Sequence, residues 1–306
     1  MIKNDPMKFN YFSDCTLCPR NCHVDRTAGQ TGYCGQTDSL AVARASLHMW
    51  EEPCISGSNG SGTVFFTGCA LGCVYCQNYC LAQGEKGKNI SIERLSEIFL
   101  ELQQKKAHNV NLVTPDHFTP LIIQAIDKAK SKGLTIPVLY NCSGYAKVTT
   151  LKLLEGYVDI YLPDIKYMDR VVSEKYSACP DYFEYASLAI EEMVRQTKET
   201  VFDEVGIMQM GVIVRHLMLP GAAEDSKNIL KYLMDMYGNK IYISIMNQYT
   251  PLAHVAKYPE LNRKITDEEY DRLVDYAIEI GVENGFVQEG GTASESFIPD
   301  FNYEGI

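Results

Sequence analysis

Phe66-Thr67-Gly68-Cys69-Ala70-Leu71-Gly72-Cys73-Val74-Tyr75-Cys76-Gln77-Asn78 is the stretch whose reading decides the fold. Its cysteines are spaced C-x3-C-x2-C and follow an apolar run, Val64-Phe65-Phe66, that reads as the end of a buried strand. Three thiolates on one loop can hold one face of an iron–sulfur cubane, and with only three supplied the fourth iron keeps an open position. That open iron is where chemistry can occur. The structural alternative is a zinc or four-cysteine cluster loop with Cys80 as fourth ligand, although zinc sites usually space their cysteines as CxxC pairs.

Downstream of the loop, short apolar runs alternate with amphipathic segments. Ile92, Leu95, Phe99 and Leu102 recur at helical spacing, and residues 110–113 read as a strand closed by Pro115. Phe118, Leu121, Ile122, Ala125, Ile126 and Ala129 mark the next helix. Residues 137–142 and 158–162 read as strands, with a helix over 148–154 between them. A charged helical region, 173–199, precedes the clearest strand, 211–219. Helix 226–236, strand 241–245 and a helix capped by Thr266-x-x-Glu269 follow. Six strand–helix units imply a parallel sheet with right-handed crossovers and functional groups at the strands' C-terminal ends. Periodicity alone leaves an open doubly wound sheet nearly level with a partial barrel.

Upstream lies a second group of cysteines, Cys15-x2-Cys18-x3-Cys22 with Cys34 in Gly32-Tyr33-Cys34-Gly35. Four thiolates within twenty residues can wrap a zinc ion or an auxiliary iron–sulfur cluster, and the spacing does not choose between them. Residues 1–60 are therefore expected to form a small cysteine-rich segment with a possible second site, and residues 61–306 the core with a C-terminal extension. The glycine- and serine-rich stretch 57–62 lacks a Walker lysine and a complete GxGxxG, so its glycines serve a turn rather than a phosphate.

The chain has 306 residues, 46% hydrophobic and 22% charged, enough for one large α/β domain with a small appendage. Its net charge of −11 argues against a nucleic-acid partner, since phosphate binding wants clustered Lys and Arg. Residues 1–14 carry no apolar signal core, and no segment approaches 18 uninterrupted apolar residues, so the expectation is a cytoplasmic protein without a membrane anchor. In a reducing compartment eleven cysteines point to metal ligation rather than disulfides.

The cysteine loop, with an aromatic Tyr75 before its last cysteine, resembles the signature of the radical S-adenosylmethionine (SAM) superfamily. That resemblance implies a partial (β/α)6 TIM-like barrel and a 4Fe-4S cluster on Cys69, Cys73 and Cys76 whose fourth iron chelates SAM. It also implies reductive cleavage of SAM to a 5′-deoxyadenosyl radical, driven by an external flavodoxin- or ferredoxin-like electron donor. Cys-Thr-Leu-Cys-Pro-Arg-Asn-Cys (15 to 22), Trp50-Glu51-Glu52-Pro53, Asn111-Leu112-Val113-Thr114-Pro115, the run 157–164 and Arg215-His216-Leu217 narrow the resemblance. They are similar to a pyruvate formate-lyase activating enzyme-like branch with an N-terminal cysteine motif. In the activases Asn78, Asp164 and Lys166 correspond to SAM contacts, and the strand holding Arg215 and His216 leads, as theirs does, to Pro-Gly. Asn141 and Ser143, at a strand end, complete the expected SAM-binding set, and Gln248 and Tyr249 are weaker candidates. The Gly-Gly-Glu usual in the superfamily is replaced here by Val113-Thr114-Pro115-Asp116-His117. Thr114 or Asp116 is left to take its role, and His117 reads as a surface or capping residue. The leading functional expectation is a radical SAM enzyme that generates a 5′-deoxyadenosyl radical for hydrogen abstraction, with activation of a glycyl-radical enzyme as one use of it. The alternatives are radical modification of a peptide or small molecule, and, in another class, a non-catalytic iron–sulfur or metal-binding protein.

Overall fold

The computed structural model describes residues 11–288 and 299–306. Its strands are β1 (Ala41–His48), β2 (Ser61–Phe66), β3 (Lys88–Asn89), β4 (Val110–Val113), β5 (Val138–Cys142), β6 (Ile160–Pro163), β7 (Val201–Phe202), β8 (Met208–Leu217), β9 (Tyr242–Met246) and β10 (Gly285–Val287). The helices are α1 (Pro53–Ser56), α2 (Tyr79–Ala82), α3 (Ile92–Gln104), α4 (Thr119–Ser131), α5 (Val148–Leu151), α6 (Arg170–Ser177), α7 (Tyr182–Thr197), α8 (Ala223–Tyr237) and α9 (Asp267–Glu279).

From β2 through β4, β5, β6, β8 and β9 to β10, each neighbouring pair is parallel. β1 lies antiparallel on the other side of β2, and β3 antiparallel on β1. The sheet ends at β3 and β10 without closing, as a partial barrel does. Its six strands from β2 to β9 are the six read from the sequence.

Alternation along the strands sorts residues between two faces. Leu139, Ile160, Leu162 and Ile213 pack with Cys54 and Ile55 of α1 in one apolar cluster, on the inner face. Val138, Tyr140, Tyr161, Val212 and Val214 pack outward into the larger core shared with the helices. Leu95, Phe99 and Leu102 of α3 and Ile122, Ile126 and Ala129 of α4 fill that outer layer from one stripe of each helix. Ser91 caps α3 by accepting from the Arg94 N–H, and Thr266 with Glu269 makes the capping box expected for α9.

Three local readings are corrected. Residues 41–48, within the segment 1–60 expected to form a small cysteine-rich unit, are β1 and join the main sheet. This strand escapes the strand–helix alternation because it is an antiparallel addition to the barrel edge. The helical region 173–199 is two helices: α6 ends on Ala178 in a left-handed conformation, and Pro180 keeps Cys179 out of the helical region. His216, expected at the SAM site beside Arg215, points instead into the outer core. Its Nδ1 lies 2.7 Å from the Ile165 carbonyl and its Nε2 2.9 Å from Ser226 Oγ on α8. A carbonyl only accepts, so Nδ1 carries the proton.

Tyr182 of α7 ties the ends of β5 and β6 together. Its hydroxyl donates to the Ser143 carbonyl at 2.7 Å, with the Asp164 carbonyl 3.1 Å away, and accepts from the Lys166 N–H at 2.9 Å. Between them Gly144 adopts φ +76°, where a Cβ would collide with the Asp164 carbonyl. Among the described residues no helix is long and apolar enough to cross a membrane.

Two outcomes follow from these contacts. Tyr182→Phe strands the Lys166 N–H and the Ser143 carbonyl, and urea denaturation should show a loss of about 2 kcal/mol. Burial pushes His216 down to about 4. A histidine depressed in the fold contributes stability that is whole above its unfolded value and drains away as pH falls toward 4. Melting curves at pH 7, 5 and 4 should therefore fall more steeply for the parent than for His216→Asn, which keeps a donor but does not titrate.

Candidate active site

The cysteine loop leaves β2 and turns on Gly68 (φ +88°) and Gly72 (φ +70°). Its backbone is pinned from outside: the Val74 N–H donates to the Tyr176 carbonyl at 2.8 Å. Arg20 Nε donates to the Ala70 carbonyl at 2.8 Å, while Nη2 reaches the Leu71 carbonyl at 3.0 Å. The same guanidinium donates through Nη1 to the Ala178 carbonyl at 2.7 Å, so the N-terminal segment clamps the loop to the turn between α6 and α7. Tyr75 packs edge-on against Tyr167 and Tyr249.

Cys69, Cys73 and Cys76 line a cavity of about 240 Å³ at the C-terminal ends of the strands. The Leu71 N–H donates to Cys69 Sγ at 3.4 Å, and the Asn78 N–H to the Cys76 sulfur. Burial pushes the Cys69 thiol up to about 11 and Cys76 higher still, with the neighbouring thiols adding to both. Such thiols ionise only against positive charge placed among them, as iron provides. Among the described residues no three His, Cys, Asp or Glu converge as ligands of a single ion. In a cubane each thiolate meets a different iron, and three thiols on the wall of one cavity can supply three of its four ligands. Cys80 does not line the cavity; it packs with Ala43, Phe65 and Leu81.

The opposite wall is a network of buried ions. Arg215 donates from Nε to Asp164 Oδ1 at 3.0 Å, from Nη1 to Glu51 Oε2 at 3.2 Å and from Nη2 to Asn141 Oδ1 at 2.6 Å. Lys166 Nζ lies 2.7 Å from Asp164 Oδ2, and Asn111 Nδ2 donates to Glu51 Oε1 at 2.9 Å. Burial opposes ionisation of Asp164, yet the Lys166 and Arg215 charges outweigh it and hold the carboxyl below its usual range. Burial likewise works against Lys166, and Asp164 with the loop thiols more than restores its charge. Two cations and two carboxylates balance, and burial raises the adjacent Glu52 toward its neutral form.

Of the residues expected to bind SAM, Asn78, Asn141, Ser143, Asp164, Lys166 and Arg215 line this cavity together, and His216 does not. Asn78 precedes α2 without making a capping bond. Gln248 also lines it; Tyr249 is buried, its hydroxyl donating to the Leu261 carbonyl at 2.7 Å. Thr114 lines it with φ +56°, a conformation β-branched residues avoid. Asp116 and His117 are buried off the cavity. Burial pushes Asp116 up to about 6 and His117 down to about 3, and His117 Nε2 lies 2.7 Å from the Thr67 carbonyl, so His117 belongs to the core and not the surface. Glu51, His48, Trp50 and Cys142 also line the cavity and were not among the expected site residues, although Trp50 and Glu51 belong to the Trp50-Glu51-Glu52-Pro53 motif that carries the resemblance.

Residues 63–233, more than half of the chain, match the model of the Radical SAM superfamily. The chain is 28% identical over 275 residues to the uncharacterized protein MJ0674 of Methanocaldococcus jannaschii, covering 88% of this chain and 75% of that one. Among solved structures it is similar to Streptococcus suis SuiB, both alone and bound to S-adenosylmethionine, each at 14% identity and a TM-score of 0.50. Those matches cover 73% and 72% of this chain, and the chain spans about half the length of SuiB. An open parallel barrel, three cysteines on the loop after its first parallel strand and the family match agree: this chain belongs to the radical SAM superfamily, whose enzymes use a 4Fe-4S cluster and S-adenosylmethionine.

Proposed function

We propose that Cys69, Cys73 and Cys76 ligate the catalytic cluster, that the strand-end residues hold SAM, and that the resulting radical installs a glycyl radical on a partner protein. The observation that carries the cluster and SAM part of this reading is one cavity bounded by three loop thiols on one side and a charge-balanced ion network on the other, while the glycyl-radical step rests on the sequence resemblance. When bound, the reduced cluster and SAM supply a 5′-deoxyadenosyl radical by reductive cleavage, with the electron from a flavodoxin- or ferredoxin-like donor.

The chain's own groups bind and orient. Lys166 gives one of its three N–H donors to Asp164 and can offer the others to a ligand carboxylate. Asp164 and the amides of Asn78 and Asn141 can take an ammonium group or a ribose hydroxyl. Arg215 is fixed on three sides, so it sets the field of the site while Glu51 and Asp164 keep it in place. A neutral network with both signs exposed suits the zwitterionic methionine end of SAM. Radical modification of a peptide or small molecule is the second reading.

The test is anaerobic. Iron and sulfide are restored, SAM and dithionite added, and 5′-deoxyadenosine followed by mass spectrometry. The parent should form it and Cys73→Ala should not; Glu51→Gln, which loosens Arg215, should raise the KM for SAM about tenfold, or about 1.4 kcal/mol. A parent with its full cluster that neither binds SAM nor cleaves it would sink the reading. Transfer of a glycyl radical to a candidate enzyme, read by EPR, separates activation from the second reading.

A further inference from the structure

The N-terminal cysteines lie outside the cavity, and the cluster described above does not use them. Cys15, Cys18 and Cys34 are buried, Cys22 is half-buried, and all four are free thiols. They sit within electrostatic reach of one another, Cys18 facing Cys34, Cys22 and Cys15.

Their sulfurs are hydrogen-bonded as the loop's are. The N–H two residues on donates to Cys18 (from Arg20) and to Cys34 (from Gln36), as it does to Cys69 (from Leu71) and Cys76 (from Asn78). The Tyr33 N–H donates to Cys22 Sγ at 3.3 Å, and Arg26 Nη1 lies 3.7 Å from Cys15 Sγ. Gly32 passes so close that a Cβ there would stand 2.7 Å from Cys22 Sγ. Backbone donors aimed at sulfur are what metal-bound thiolates require.

A second observation is independent of the cysteines' spacing. Arg26 is fully buried, and its guanidinium is spent on the Thr37 carbonyl, the His117 carbonyl at 2.7 Å and Cys15. Among the described residues no carboxylate pairs with it. A buried cation needs an anion nearby. The groups beside it are thiols, which become anionic on binding metal.

We infer that Cys15, Cys18, Cys22 and Cys34 hold a second iron–sulfur cluster of the cubane type, with every iron ligated by protein. Arg26 offsets the negative charge of the four-thiolate centre. With four thiolates the centre has no open iron and does not bind SAM. Arg20, between Cys18 and Cys22, docks it against the catalytic loop.

The test uses the full chain purified anaerobically. Iron, sulfide and zinc are measured, and EPR spectra of the dithionite-reduced protein are taken with and without SAM. The parent should hold about eight iron and eight sulfide ions per chain. Cys69→Ala/Cys73→Ala/Cys76→Ala should keep about four of each, with an EPR signal indifferent to SAM. Cys18→Ser/Cys34→Ser should lose that signal and keep the one that SAM shifts. If this variant does not fold, the parent and the triple variant decide alone. Iron absent from the triple variant, or one zinc per chain in its place, overturns the inference. Failure of the radical SAM reading looks different: the triple variant keeps its iron, and SAM shifts nothing in the parent.

Discussion

A guanidinium buried at the mouth of a barrel has to be neutralised, and the site depends on how Arg215 achieves this. A buried charge left unpaired costs several kcal/mol. Arg215 meets carboxylates from two places far apart in sequence, Glu51 ahead of α1 and Asp164 at the end of β6, with Asn141 of β5 completing the contacts. The inner wall at the strands' C-terminal ends is therefore one electrostatic unit. Loss of any member leaves a charge that the rest cannot cover.

Packing fixes that unit in place. Beneath it Leu139, Leu162 and Ile213 pack on Cys54 and Ile55, beside buried polar groups such as Thr63 and Asn111. Burial shields the ions from water and makes them interact strongly. Tyr182 holds the β5 and β6 ends at the spacing the network needs, and Gly144 allows their close approach. The cysteine loop, clamped by Arg20, forms the facing wall.

Much of this was legible in the sequence because barrel topology converts period into position. The parallel strands read as apolar runs, and the polar residues ending them, Asn141, Asp164, Lys166 and Arg215, fall on the cavity because the strands share one polarity. With a period of two Arg215 and His216 cannot both face inward, and which one does depends on Ser226 of α8, a contact no local pattern contains. Glu51 was unreadable for a similar reason. It belongs to no strand end, and its role exists only because the segment before α1 folds across the barrel to reach Arg215 and Asn111. β1 was missed because an antiparallel strand at the edge breaks the alternation by which its neighbours were found.

Three arginines show the same constraint met in three ways. Arg215 is balanced by carboxylates, so its wall is neutral and open to a zwitterion. Arg20 is only part-buried; it spends its donors on backbone carbonyls and lays its face 3.7 Å from the Tyr33 ring, which suffices where water still reaches. Arg26 is as deeply buried as any residue in the chain, yet it has carbonyls, the rings of Phe12 and Phe118, and a thiol. Carbonyl dipoles and ring faces reduce the cost of a buried cation without cancelling it. Among the described residues the groups beside it that can become anionic are the sulfurs of the N-terminal cysteines. Arg26 thus ties the charge state of the N-terminal cysteines to the stability of the segment that, through Arg20, clamps the catalytic loop.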